Sequence, residues 1–95
     1  MLNNKQKASL RGIAHKLKPV VMIGAAGLSE NVFAALEEAL DHHELVKIKI
    51  SAGDREVREQ IIDQLLEKSA AEKIQRVGNM LTLFRRNKEA PVIKL

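Results

Sequence analysis

Side chains able to do covalent chemistry are few in this chain of 95 residues. It has no cysteine, which removes thiolate nucleophiles, disulfides and thiolate metal sites. The serines are Ser9, Ser29, Ser51 and Ser69, and none sits in a nucleophile-elbow motif. Ser29 has the sequence context of a helix N-cap instead. His42 and His43 are adjacent, and neighbours on a helix point about 100° apart, so they are poorly placed to clasp one ion. In the last turn of a helix they would instead interact with its dipole. The carboxylates fall mostly on predicted helix surfaces beside lysine or arginine, where solvated ion pairs are their ordinary role. No Walker-type or dinucleotide-binding sequence is present. These residues predict no catalytic constellation, no metal, no cofactor and no small-molecule substrate.

One short motif does point to chemistry. Gly24-Ala25-Ala26-Gly27 follows the apolar run Val20–Ile23 and precedes a predicted helix. Glycines in such a loop let the backbone approach a phosphate, and the following helix N-terminus offers free N–H groups and a positive dipole end. Alanines between them leave the approach open. The same two glycines could serve turn geometry alone. A second feature lies just upstream. Lys7, Arg11, His15 and Lys18 recur at the spacing that places them on one side of a helix, and only residues 19–23 separate them from the loop.

Charge is distributed unevenly. The net charge is +4, yet Lys5, Lys7, Arg11, Lys16 and Lys18 precede the first acid, Glu30. Residues 29–46 carry five acids and no lysine or arginine, residues 50–72 are also acidic on balance, and residues 73–95 are basic again. If the two basic ends meet in the fold, they form one surface that attracts a polyanion. Candidates for phosphate contact are Lys5, Lys7, Arg11, Lys18, Lys47 and Arg85, with His15 on the same helix side. Aromatic residues are 2% of the chain, both phenylalanine. Stacking of bases on an aromatic sheet is therefore unavailable, and backbone and shape should dominate any RNA contact.

The elements that must position these groups can be read from periodicity. Asn3 or Asn4 caps a first helix with Leu10, Ile13, Ala14 and Leu17 as its buried stripe, and Pro19 stops it. Val20–Ile23 is too short for a helix and reads as a buried strand. Ser29 opens a second helix, with Leu28 and Phe33 spaced as a hydrophobic staple. Its inner face is Val32, Phe33, Leu36, Ala39, Leu40 and His43. Leu45–Ser51 alternates, with Val46, Ile48 and Ile50 to one side and Lys47, Lys49 and Ser51 to the other, so part of the sheet should face solvent. Asp54 caps a third helix with Val57, Ile61, Ile62, Leu65 and Leu66 inside. Lys73–Val77 and Met80–Arg86 form a hairpin about Gly78-Asn79. The order α-β-α-β-α-β-β predicts an α/β fold: one domain, residues 1–95, with a mixed four-stranded sheet and helices packed on it. Crossovers of one hand should put the second and third helices on the same face. No run approaches the roughly 20 apolar residues of a membrane span. The opening MLNNKQKASL has no apolar signal core, and the expected location is cytoplasmic.

Several stretches together resemble the CRM domain, the family named for chloroplast RNA splicing and ribosome maturation, in its stand-alone bacterial, YhbY-type form. They are residues 5–7, Leu10-Arg11, residues 14–21, Ile23 to Ser29, His43 to Ile48, Asp54-Arg55 and Val77 to Arg85. The segment His15 to Leu28 is the most specific. The resemblance implies a fold similar to the C-terminal domain of bacterial translation initiation factor three. It implies RNA binding through Gly24–Gly27 and nearby basic residues, and association with large-subunit ribosomal RNA or its precursor particle. The family loop often carries a basic or polar residue between its glycines; here both are alanine, which favours contact through the backbone. Two other classes remain open. One is a protein-interaction module of the translation machinery using the acidic outer face of the third helix. The other is a small enzyme with a distributed site, against which the lack of any nucleophile–base pair weighs.

Overall fold

A computed structural model describes residues 2–51 and 53–94. The elements run α1 (Asn4–Ala14), β1 (Val21–Ile23), α2 (Glu30–His43), β2 (Leu45–Ile50), α3 (Arg55–Ser69), β3 (Glu72–Val77) and β4 (Met80–Phe84). The sheet order is β1-β2-β4-β3. β1 and β2 are parallel, while β4 is antiparallel to both β2 and β3. Both crossovers, through α2 and through α3, therefore step in the same direction along the sheet. Two crossovers of one hand and one direction put their helices on one face. Accordingly Leu36 and Leu40 of α2 and Ile61, Ile62 and Leu65 of α3 share one core with Val46, Ile48 and Ile50 of β2. The predicted α/β architecture is the one observed.

Local signals account for the helix starts. Asn3 caps α1 in a reciprocal box: its side chain accepts from Gln6 N at 2.7 Å, and its own N–H donates to Gln6 Oε1 at 3.0 Å. Ser29 accepts from Val32 N at 3.2 Å and Asp54 from Val57 N at 3.0 Å. In the β3–β4 turn, Gly78 has φ +58° and Asn79 is not in the positive region. A positive angle confined to the first turn residue is the pattern of a type II′ hairpin.

α1 packs on the opposite face. Leu10 and Ala14 meet Leu45, Ile74 and Phe84 in a second, smaller core, with Leu2 and Ile93 against it. Burying Leu10 contributes about 1.5–3 kcal/mol, enough to offset the ~1 kcal/mol that Gly12 costs the helix. α1 is shorter than its sequence pattern predicts. It ends at Ala14 and continues as tight turns, with Lys16 N bonded to Ile13 O at 3.2 Å and Leu17 N to Ala14 O at 3.0 Å. Leu17 thus leaves the helical phase; it and Ile13 are 36% and 39% exposed rather than buried. Val57 and His43, also predicted inward, are exposed because they sit in the end turns of their helices.

Candidate nucleic-acid interface

The sheet separates charge. α2 and α3 carry most of the carboxylates, and both lie on one face. Two arginines reach that side and are neutralised there: Arg76 pairs with Glu59, and Arg85 pairs with Glu37 and with Asp41. The other face is covered by α1 only at the Leu45–Phe84 end. Beyond α1 it stays open. Strand register places Met22 beside Lys49, Lys49 beside Met80, and Met80 beside Val77 in one row across the four strands. Met22 is 67% exposed. The next row, Lys47 beside Thr82 and Thr82 beside Gln75, is covered at its centre, where Thr82 is 2% exposed. Among the described residues, no carboxylate lies within 4.0 Å of Lys7, Arg11, Lys18, Lys47 or Lys49. A basic face without counter-charges is what a polyanion requires.

Helix phase decides which α1 cations join that face. At about 100° per residue, Lys7 and Arg11 fall on one side of the buried Leu10–Ala14 stripe and Gln6, Ser9 and Ile13 on the other. The second side faces the C-terminal segment: Ile13 is beside Ile93, and Ser9 and Gln6 are beside Lys94. Lys7 and Arg11 therefore turn toward the open part of the sheet. Lys5 shares the Lys94 side and is separated from them. His15 is the exposed C-cap of α1. Lys18, expected to extend the helical stripe, lies past the helix end; the turn before Pro19 places it next to Lys47 instead.

The glycine loop caps the far end of the same face, directly after β1. Gly27 N bonds Gly24 O at 3.0 Å, so the loop is a closed turn. Gly27 has φ +74°, a conformation alanine adopts only with strain. A Cβ at Gly24 or Gly27 would meet nothing within 4 Å, and Ala25 and Ala26 are exposed. The backbone of the turn is therefore open to solvent at both glycines. The positive angle at Gly27 is an independent, conformational reason for that glycine.

Arg85 is the one predicted contact residue that the fold employs elsewhere. Its guanidinium donates to Glu37, to Asp41 Oδ1 at 2.9 Å and to the Ser69 carbonyl at 2.9 Å, all on the acidic side. The alternation that singled out Lys47 applies equally to Lys49, which the sequence reading had not included among the contacts. Glu44 was missed altogether. It is fully buried at the C-cap of α2 with φ +61°. Its carboxylate accepts from Asn87 N at 2.7 Å, Val92 N at 2.6 Å and Ile93 N at 2.7 Å, and pairs with Arg86 at 3.4 Å. Burial alone would raise its pKa, but those backbone N–H groups and the Arg86 charge outweigh it and hold the carboxyl below the usual range. Glu44 thus straps residues 87–93 against the end of the sheet where α1 docks. Counting it as one more surface acid hid this, because its partners lie more than forty residues away. Among the described residues no cluster of metal-ligating side chains occurs, and no helix is long and apolar enough to cross a membrane.

An α/β domain with acidic helices on one face, and a basic, partly open sheet closed by a glycine turn on the other, is a polyanion-binding class of structure. The chain belongs to the CRS1/YhbY (CRM) domain family, whose model matches residues 2–85. It is 45% identical over 91 residues to an RNA-binding protein of Haemophilus influenzae, covering 96% of this chain and 92% of that one. It is 33% identical over 95 residues to YqeI of Bacillus subtilis, named a probable RNA-binding protein, covering 100% and 99% of the two chains. The solution structure of a Staphylococcus aureus protein matches with a TM-score of 0.82 at 32% identity, over 100% of this chain and 99% of that one. Both the Haemophilus influenzae and the Bacillus subtilis relatives are named for RNA binding and neither for an enzymatic activity.

Proposed function

We propose that this protein binds RNA through the face formed by Lys7, Arg11, Lys18, Lys47, Lys49 and the Gly24–Gly27 turn, and that its target is large-subunit ribosomal RNA or the precursor particle containing it. The observation that carries the reading is the separation of charge across the sheet. Arg76 and Arg85, which reach the helix side, are paired with Glu59 and with Glu37 and Asp41, whereas Lys7, Arg11, Lys18, Lys47 and Lys49 have no carboxylate partner among the described residues. The RNA-binding names of the relatives support the chemistry; the CRM family resemblance supports the ribosomal target. With no aromatic sheet available for stacking, most of the affinity comes from phosphates. Crosslinking the protein to RNA in cells and mapping both partners tests this. Crosslinks from residues 7–27 to large-subunit ribosomal RNA are expected. Crosslinks confined to other RNAs would overturn the ribosomal target, and a complex that survives nuclease intact would replace the RNA with a protein partner.

A further inference from the structure

The open face ends, at the turn that follows α1, in an apolar groove of about 390 Å³. Ile13, Leu17, Val20 and Ile93 form its apolar walls, with the His43 ring, Lys18 and Lys47 among them. The volume falls within the roughly 300–1,000 Å³ typical of small-ligand sites. It exists because Ile13 lies to one side of the buried Leu10–Ala14 stripe, Leu17 leaves that stripe where α1 stops, and Val20, just before β1, is 58% exposed. Ile93 closes one side, fixed by its backbone N–H on the Glu44 carboxylate at 2.7 Å. No acidic side chain lines the groove.

We infer that the groove receives one unstacked base of a bound RNA strand, with Lys18 and Lys47 taking the neighbouring phosphates. The inference rests on the RNA-binding reading and adds to it a site for a base. An occupant must be apolar where it meets Ile13, Leu17, Val20 and Ile93, and anionic where it meets two lysines that have no carboxylate partner among the described residues. A nucleotide within a strand has that form. The position also fits, because the groove is continuous with the basic face. Val20 lies four residues before Gly24, about 13 Å along a strand, and Lys47 and Lys49 stand between on the adjacent strand. One strand can therefore run from the groove over Met22 and Lys49 to the glycine turn. Aliphatic walls desolvate a base and the His43 ring offers it a stacking surface, neither of which reads base edges, so any base should be accepted with little preference.

The probes are a single-stranded oligouridine and an abasic ribose-phosphate strand of the same length, which has the same charge and no bases. The intact strand should bind about tenfold tighter, the lower end of what one base stacked on a side-chain ring contributes. Methyl resonances of Ile13, Leu17, Val20 and Ile93 should shift with the intact strand and not with the abasic one. The double variant Ile13→Ser/Leu17→Ser changes two side chains that are each more than a third exposed. It should bind the intact strand only as tightly as the abasic one, with abasic affinity unchanged. Equal affinity of wild-type protein for both strands, or silent groove methyls, would overturn the base site while leaving RNA binding standing. So would a base preference that persists in the folded variant. Failure of both strands to bind would instead remove the RNA reading itself.

Discussion

Aspartate at position 27 should weaken RNA binding by about fivefold to a hundredfold while the protein stays folded. Because a Cβ at Gly27 meets nothing within 4 Å, the substitution creates no clash. What remains is the cost of φ +74°, about 1–2 kcal/mol for an ordinary residue. Aspartate tolerates that region better than alanine. Against a total stability of about 5–15 kcal/mol for a domain of this kind, the native state survives. The effect on binding is electrostatic. A carboxylate about 5 Å from a phosphate is repelled by ~1 kcal/mol at a dielectric of 80 and ~3 kcal/mol at 20. Each 1.4 kcal/mol is a factor of ten, which sets the range quoted. Two controls separate charge from backbone. Gly27→Ala carries the conformational cost without the charge, and Ala26→Asp carries the charge without touching a glycine. Anisotropy of a labelled single-stranded RNA, at a temperature where thermal melts show every variant folded, reads the outcome. Both aspartate variants should lose affinity and Gly27→Ala much less. If all three lose only melting temperature and bind normally once folded, the turn is structural and the basic face must act without it.

Four further outcomes are expected. In wild-type protein, log K should fall against log salt with a slope of about −3 to −4, as about four phosphate contacts require, and a slope near zero would remove the electrostatic basis of binding. Arg11→Glu with Lys18→Glu should abolish binding at little cost to stability, since both side chains are exposed; Arg85→Ala should do the reverse, leaving the slope unchanged and costing about 1–2 kcal/mol through the lost bonds to Glu37, Asp41 and Ser69. Glu44→Gln should cost about 2–3 kcal/mol, because an amide cannot accept from Asn87, Val92 and Ile93 and also pair with Arg86. Since the Glu44 carboxyl titrates below its unfolded value, its stabilisation is complete above that unfolded value, about 4.3, and is lost as pH falls through the lower folded one. Denaturant melts should therefore show wild type and Glu44→Gln converging at acid pH, and a gap that stays constant into strong acid would sink this account.

Local signals were enough to locate every element. Asn3, Ser29 and Asp54 cap helices within three residues of themselves, Gly78 closes a hairpin, and the alternation of Val46, Ile48 and Ile50 with Lys47 and Lys49 fixes which side of β2 is wet. Such features depend on chain neighbours, so a one-dimensional reading finds them. The early end of α1 escaped it, because the apolar spacing runs on to Leu17, past the point where the backbone leaves helical phase. The pairing of charges escaped it as well. Arg85 and Lys47 look alike along the chain, yet one enters an acidic cluster and the other stays unpaired, since the partners of Arg85 lie more than forty residues earlier on α2. Glu44 is the extreme case: only the folded chain brings residues 87–93 back to its carboxylate. Chain-local patterns thus carry the order and type of the elements, the wet and buried sides of β2, and the excess of cations at both ends. Which cations remain free to meet a phosphate was decided only by tertiary structure, because ion pairing depends on through-space distance, which the order of residues does not encode.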